Sequence, residues 1–191
     1  MRIPFPVEEY RAAVEAETTA RDIAFLDAPD VVCGKPVRKM TIPDVIMLDG
    51  LASPFVCGGR KPTPDDVVTF LWVMNPKRTR SRIRQWLFGL SCSGMNFQSA
   101  VRQIREIIGF TFMDAGGSGG GEQLSYYSRI AGMVDIFASE YGWEPEKITS
   151  LPLAQLFQLK KAIAKRKNPK VTLFNKSMEI RAKWLEEVNR N

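Results

Sequence analysis

Two short stretches of this chain carry the same instruction for starting a helix. They are Thr41-Ile42-Pro43-Asp44 and Thr63-Pro64-Asp65-Asp66. A threonine hydroxyl can accept a hydrogen bond from one of the N–H groups that a helix leaves without a partner at its start. Proline in the first turn sacrifices no needed N–H, and an acid there favours the positive end of the helix dipole. Apolar residues follow each start: Val45, Ile46, Leu48 and Leu51 after the first, and Val67, Val68, Phe70, Leu71, Trp72 and Met74 after the second. Gly50 and Pro54 bound the first helix, and Asn75-Pro76 stops the second, because the residue before a proline is pushed out of helical geometry. Short helices joined by loops are thus what this part of the chain must build.

Helical spacing continues on both sides. Pro6, Glu8 and Glu9 open a helix expected over about residues 7–26, with a possible break at Thr18-Thr19. Ile83, Trp86, Leu87 and Leu90 recur at helical spacing within 78–90, and Asn96 opens a helix through Val101, Ile104, Ile107 and Ile108 to about Met113. Further helices are expected over about 123–141, 145–148, from Pro152 through Ile163, and 176–188. Only Asp30 to Met40 reads differently: two extended pieces around a Gly34-Lys35 turn, with Pro36 confining the pairing to an exposed edge. The expected fold is mainly α, a multi-helix, bundle-like domain of about seven to nine helices with one small β-hairpin near residues 30–40. Gly116-Gly117-Ser118-Gly119-Gly120-Gly121 has the composition of a flexible linker. It divides a helical region with the hairpin, 1–115, from a basic helical region, 122–191; the two could also form one continuous domain.

The chemistry the chain can perform is bounded by what it lacks. It has 191 residues and no histidine. Histidine-activated serine or cysteine nucleophiles, imidazole acid–base catalysis and histidine zinc sites are therefore all excluded. Cys33, Cys57 and Cys92 are three and widely spaced, which is not a disulfide framework and indicates a reducing compartment. A chain of this length can bury roughly 70% of its unfolded surface and needs no staple. Glu8, Glu9 and Arg11 interrupt any signal-peptide core, and the apolar run Val67–Met74 is far too short to span a bilayer. No membrane partner and no cofactor or metal are expected.

Several near-motifs have plainer explanations. The glycine run precedes a helix and could cradle a phosphate, but a P-loop needs Gly-Lys-Ser/Thr there, and Gly121 is followed by Glu122. Gly89-Leu90-Ser91-Cys92-Ser93-Gly94 approaches a nucleophile elbow, yet its spacing is off by one, a helix precedes it and no histidine exists. Asp65-Asp66 and Glu8-Glu9 fall in first helical turns, where capping explains them better than catalysis or Mg²⁺ binding.

Charge is distributed unevenly. Residues 1–75 hold 8 basic and 11 acidic side chains, and residues 76–191 hold 19 and 10. Two basic clusters account for much of this. One contains Lys77, Arg78, Arg80, Arg82 and Arg84 around Trp86; the other contains Lys160, Lys161, Lys165, Arg166, Lys167 and Lys170. Such clusters suit nucleic acid, an acidic protein partner or simple solvation. No helix-turn-helix, zinc-finger or single-strand-binding signature accompanies them.

One segment resembles a known group of proteins. Ser139-Glu140-Tyr141-Gly142-Trp143-Glu144-Pro145-Glu146-Lys147-Ile148-Thr149-Ser150-Leu151-Pro152-Leu153 places a Trp, an Ile five residues on, then Leu-Pro-Leu and an amphipathic helix. It is similar to small helical proteins in the tail gene cluster of long-tailed bacteriophages and prophages, among them tail assembly chaperones. Val31 to Lys35, Thr41-Ile42, Ser53-Pro54-Phe55, Thr63-Pro64 and Phe70-Leu71-Trp72 follow a similar pattern. The resemblance implies a non-enzymatic role in assembly, holding the tail tube subunit or the tape-measure protein before polymerisation, in the bacterial host cytoplasm or on the virion. It implies no catalytic residues. The partner surface expected on this basis comprises Tyr141, Trp143, Leu151, Leu153, Lys160 and Lys161. The alternative, a nucleic-acid-binding accessory protein, would use Arg78, Arg80, Arg82 and Arg84.

Overall fold

The computed structural model describes residues 4–26, 28–112, 129–170 and 176–190. The glycine run and the start of the helix expected from Gln123 lie outside these residues. Among them the chain forms α1 (Val7–Ile23), β1 (Asp30–Val32), β2 (Lys35–Val37), α2 (Ile42–Gly50), α3 (Pro64–Val73), α4 (Arg82–Leu90), α5 (Phe97–Phe112), α6 (Arg129–Tyr141), α7 (Pro145–Ser150), α8 (Leu153–Lys167) and α9 (Lys176–Arg190). The fold is mainly α with one two-stranded hairpin, as the spacing predicts. α1 runs unbroken through Thr18-Thr19 but ends at Ile23, three residues early.

Both repeated starts work as capping boxes. The Asp44 carboxylate accepts from the Thr41 N–H at 3.0 Å and the Thr41 hydroxyl at 2.8 Å. The Asp66 carboxylate accepts from the same two groups of Thr63, each at 2.7 Å. Each aspartate also accepts both guanidinium donors of an arginine six residues earlier, Arg38 for Asp44 and Arg60 for Asp66. The repeat is therefore longer than its helix starts: Arg38-Lys39-Met40-Thr41 and Arg60-Lys61-Pro62-Thr63 both read Arg-Lys-x-Thr, with the aspartate three residues on.

The hairpin turns on Cys33-Gly34, one residue earlier than expected. Val32 stands opposite Lys35, and both turn residues have positive φ, 47° and 79°. Such a pair matches the right-handed twist of the strands. Cys33 tolerates the unfavourable conformation because its N–H donates to Gln103 Oε1 of α5 at 2.8 Å. Pro36 is exposed and paired with Val31, while Val32 and Val37 on the other face are fully buried.

The chain forms two compact units. One contains residues 27–157, and the other joins residues 1–26 to 158–191, so the division falls within α8. In the first unit, α2 packs on α3 and α7, α3 also on α4 and α5, and α6 on α7. Phe70, Leu71, Met74, Leu48, Ile104, Phe137, Ile148 and Leu156 make its core. Two backbone bonds tie separate segments together: Arg38 N–H to the Met74 carbonyl at 2.9 Å, and Leu153 N–H to the Met40 carbonyl at 2.8 Å. In the second unit, α1 packs on α9, and Phe5 meets Trp184 edge to face at 5.2 Å. Ala13, Ile163 and Ile180 are buried there.

Candidate partner-binding surface

α4 is the element whose burial contradicts its sequence pattern. It begins at Arg82, not Arg78, because Asn75-Pro76 folds into a turn. The Asn75 carboxamide oxygen accepts from the Lys77 N–H at 2.7 Å, and the Asn75 carbonyl accepts from the Arg78 N–H at 3.0 Å. Ser81 then caps the helix, its hydroxyl accepting from the Arg84 N–H at 3.4 Å. Arg78 and Arg80 thus stand in the connecting loop and not on the helix.

No residue of α4 is buried. Its contact with α3 is made by Phe88, whose ring lies 5.4 Å from that of Trp72, and by Gly89. A Cβ at Gly89 would sit 3.8 Å from Val68 Cγ1, in ordinary van der Waals contact. At 100° per residue, Ile83, Trp86, Leu87 and Leu90 fall within an arc of about 100°, centred about 160° away from the Phe88–Gly89 side. That stripe faces outward: Ile83 is 71% exposed, Trp86 63%, Leu87 52% and Leu90 51%. Ordinarily the apolar stripe of a surface helix faces the core. A contiguous apolar stripe on the outer face marks an interaction site. Covering one aliphatic side chain of this size stabilises by about 1.5–3 kcal/mol, so hiding four that are half or more exposed would contribute several kcal/mol to binding before association costs.

The flanking cations are not equivalent. Arg80, Arg82 and Arg84 are exposed. Arg78 is half-buried, donating to Met47 Sδ at 3.0 Å and to the Val73 carbonyl at 3.4 Å. It therefore braces the outer side of α2 against the end of α3, and only three of the four arginines expected to meet nucleic acid are displayed. α2 and the residue that follows it add exposed apolar side chains, Ile46 and Leu51.

The surface expected on residues 141–153 divides between core and exterior. Leu153 is 4% exposed and belongs to the core, which corrects its assignment to a partner surface. The cause is the backbone bond to Met40, which draws the start of α8 inward. Leu151 is half-buried. Tyr141 and Trp143, also half-buried, stack at 4.8 Å, and Trp143 stacks on the buried Phe137 at 6.2 Å. The Lys147 ammonium lies 4.5 Å above the Trp143 ring. Gly142, with φ 64°, makes this possible by turning the chain back at the end of α6. These aromatics fill the α6–α7 corner and leave little free ring face. Lys160 is exposed and Lys161 half-buried, and both belong to the other compact unit.

The remaining candidates for chemistry have structural occupations. The Ser91 and Ser93 hydroxyls donate to the Phe88 and Leu90 carbonyls at 2.7 and 2.9 Å, finishing α4. Cys92 is buried. The Cys57 thiol lies 3.2 Å from Asp49 Oδ1, a neighbour that pushes its pKa up and disfavours the thiolate. Among the described residues no group of three or more cysteines and carboxylates is placed to hold a metal ion, and no helix is long and apolar enough to cross a membrane. Comparison with protein families, with curated proteins and with solved structures finds no match.

Proposed function

We propose that this chain is a non-enzymatic binding protein that engages another protein through the outward face of α4. One observation carries the reading: Ile83, Trp86, Leu87 and Leu90 form a helical stripe on the side of the helix turned away from its own fold. A solitary exposed leucine is ordinary, but here four large apolar side chains stand in register, and tryptophan is among the residues enriched at binding hot spots. The resemblance of residues 31–72 and 139–153 to tail-cluster proteins supports a more specific role, the assembly of a phage or prophage tail. The tube subunit or the tape-measure protein would be the bound component. The same resemblance supports a location in the host cytoplasm or on the virion.

Arg80, Arg82 and Arg84 favour a second reading, contact with nucleic acid. Phosphates would satisfy the arginines, but nothing on a phosphate backbone would cover the four apolar side chains between and beyond them. Protein binding accounts for both features and is preferred.

Co-expression with the tube and tape-measure subunits of the same gene cluster tests the proposal. The native chain should recover a complex with one of them, and a Trp86→Ser, Leu87→Ser variant should lose it. Recovery of no complex by the native chain would overturn the assembly role. Binding to duplex DNA that weakens steeply with salt and disappears in an Arg82→Glu, Arg84→Glu variant would favour the second reading instead.

A further inference from the structure

The proposal that α4 binds a protein leaves the chemistry of its occupant open, and the charge around the helix narrows it. From Val67 to Arg105 the chain contains no aspartate or glutamate, yet it contains Lys77, Arg78, Arg80, Arg82, Arg84, Arg102 and Arg105. α1, α2, α3, α7 and α9 each carry an acid in the first turn. α4, like α5, α6 and α8, carries none, and it puts Arg82 and Arg84 there. Cations at that end add to the positive pole of the helix dipole, which costs stability in the free protein. A carboxylate arriving from outside would relieve it.

The cations and the stripe also have a shared geometry. On the helical wheel Arg82 and Arg84 stand on opposite edges of the stripe, each about 90–110° from its centre. No Lys or Arg occurs from Gln85 to Val101, so the far half of the stripe, Leu87 and Leu90, has no basic neighbour on α4. Lys35 of β2 nonetheless donates to Ser91 Oγ at 3.0 Å beside the Leu90 end, so cations border the stripe at both ends, most densely near Ser81.

We infer that α4 receives an amphipathic helix whose apolar stripe is flanked by carboxylates. This inference rests on the protein-binding reading. Apolar side chains would cover Ile83, Trp86, Leu87 and Leu90, and the carboxylates would reach Arg80, Arg82 and Arg84, where bidentate pairing is open to the guanidinium groups. A bilayer matches this surface less well, because interfacial helices line their polar face with cations along their length. A second copy of α4 brings its own arginines and no carboxylate.

The test uses the full chain and a synthetic helical peptide of about 18 residues, long enough to form a helix on binding. The peptide has leucines at i, i+3, i+4 and i+7 and glutamates on both edges. A matched peptide carries lysine for glutamate. Binding is followed by the blue shift of tryptophan emission. The acidic peptide should bind at least about tenfold more tightly than the basic one, a preference that Arg82→Glu with Arg84→Glu should reverse. Leu87→Ser with Leu90→Ser, which keeps Trp86 as the reporter, should abolish binding of both. The substituted side chains are exposed, and an unchanged far-ultraviolet circular dichroism spectrum confirms that the variants fold. Equal affinity for the two peptides overturns the inference. So does preferential binding to phosphatidylglycerol vesicles, or sedimentation as a dimer that Trp86→Ser dissociates. The co-expression assay separates the two levels of the argument. If Trp86→Ser with Leu87→Ser loses the native partner while the arginine reversals keep it, protein binding stands and the acidic occupant falls. If both variants keep the partner, α4 is not the docking face.

Discussion

Asp44 and Asp66 have the same partners in the same seven-residue pattern, but at different depths. The Asp44 side chain is 3% exposed and its arginine is partly covered, whereas Arg60, the partner of Asp66, is about half exposed. Removing one member of a covered ion pair strands the other, which is far more costly than losing a pair in water. Asp44→Ala should therefore destabilise by about 3 kcal/mol, and Asp66→Ala by about 1 kcal/mol, the usual cost of a lost cap. Urea denaturation of both variants measures the gap, and equal losses would refute the depth argument. Asp66 also carries a pH signature. The Arg60 guanidinium, then the Thr63 hydroxyl and N–H, hold its carboxyl well below the ordinary carboxylate range. A depressed folded-state value means that Asp66 stabilises fully above about pH 4, and that this contribution drains away as pH falls further. The acid limb of the stability curve should thus be shallower in Asp66→Asn than in the native chain, and superimposable curves would remove Asp66 from the account. The helix-start half of this device was legible in the Thr-Pro-Asp spacing. The arginine half was not, because an Arg six residues from an Asp signals nothing until a turn folds one over the other.

At the scale of single elements, periodicity told where helices run but not which way their stripes face. Ile83, Trp86, Leu87 and Leu90 announce a stripe, and nothing in that spacing says whether a neighbour covers it. What decides is the packing of Phe88 on Trp72 of α3, which fixes the opposite side of the helix and leaves no trace in a one-dimensional reading. The opposite error befell Leu153, which the Leu-Pro-Leu pattern suggested as surface and the backbone bond to Met40 draws inside. The hairpin slipped by one residue because Cys33 accepts a left-handed turn position that sequence rules reserve for glycine or asparagine. Trp86 offers a direct check on the direction of α4. Trp72, Trp143 and Trp184 are at least half-covered, and Trp86 is the exposed one. Trp86→Phe should abolish most of the acrylamide-quenchable emission and change stability by less than about 0.5 kcal/mol, as expected for a surface position. Quenching that survives the substitution, or a larger loss of stability, would place that side chain against the fold.

The molecule as a whole divides into a compact unit of residues 27–157 and a second that joins residues 1–26 to 158–191. The core of the first unit is internal to it, and α8 supplies Leu156 and Phe157 to that core before its last turns pass to the other unit. Residues 28–167, which keep α8 whole, should accordingly fold alone, with a helical spectrum and a single cooperative thermal transition. A featureless melt of that fragment would show that the two units are not independent. α4 lies inside it, so the fragment should also retain the peptide preference of the full chain. The pairing of α1 with α9 bears on time as well as on space. Ribosomes release about 5–20 residues per second, and about 150 residues separate the end of α1 from the start of α9. During synthesis α1 waits on the order of ten seconds with its inner face uncovered while the intervening residues are made. α1 is thus secured only when α9 has been made, and in that interval a chaperone or protease would meet it uncovered.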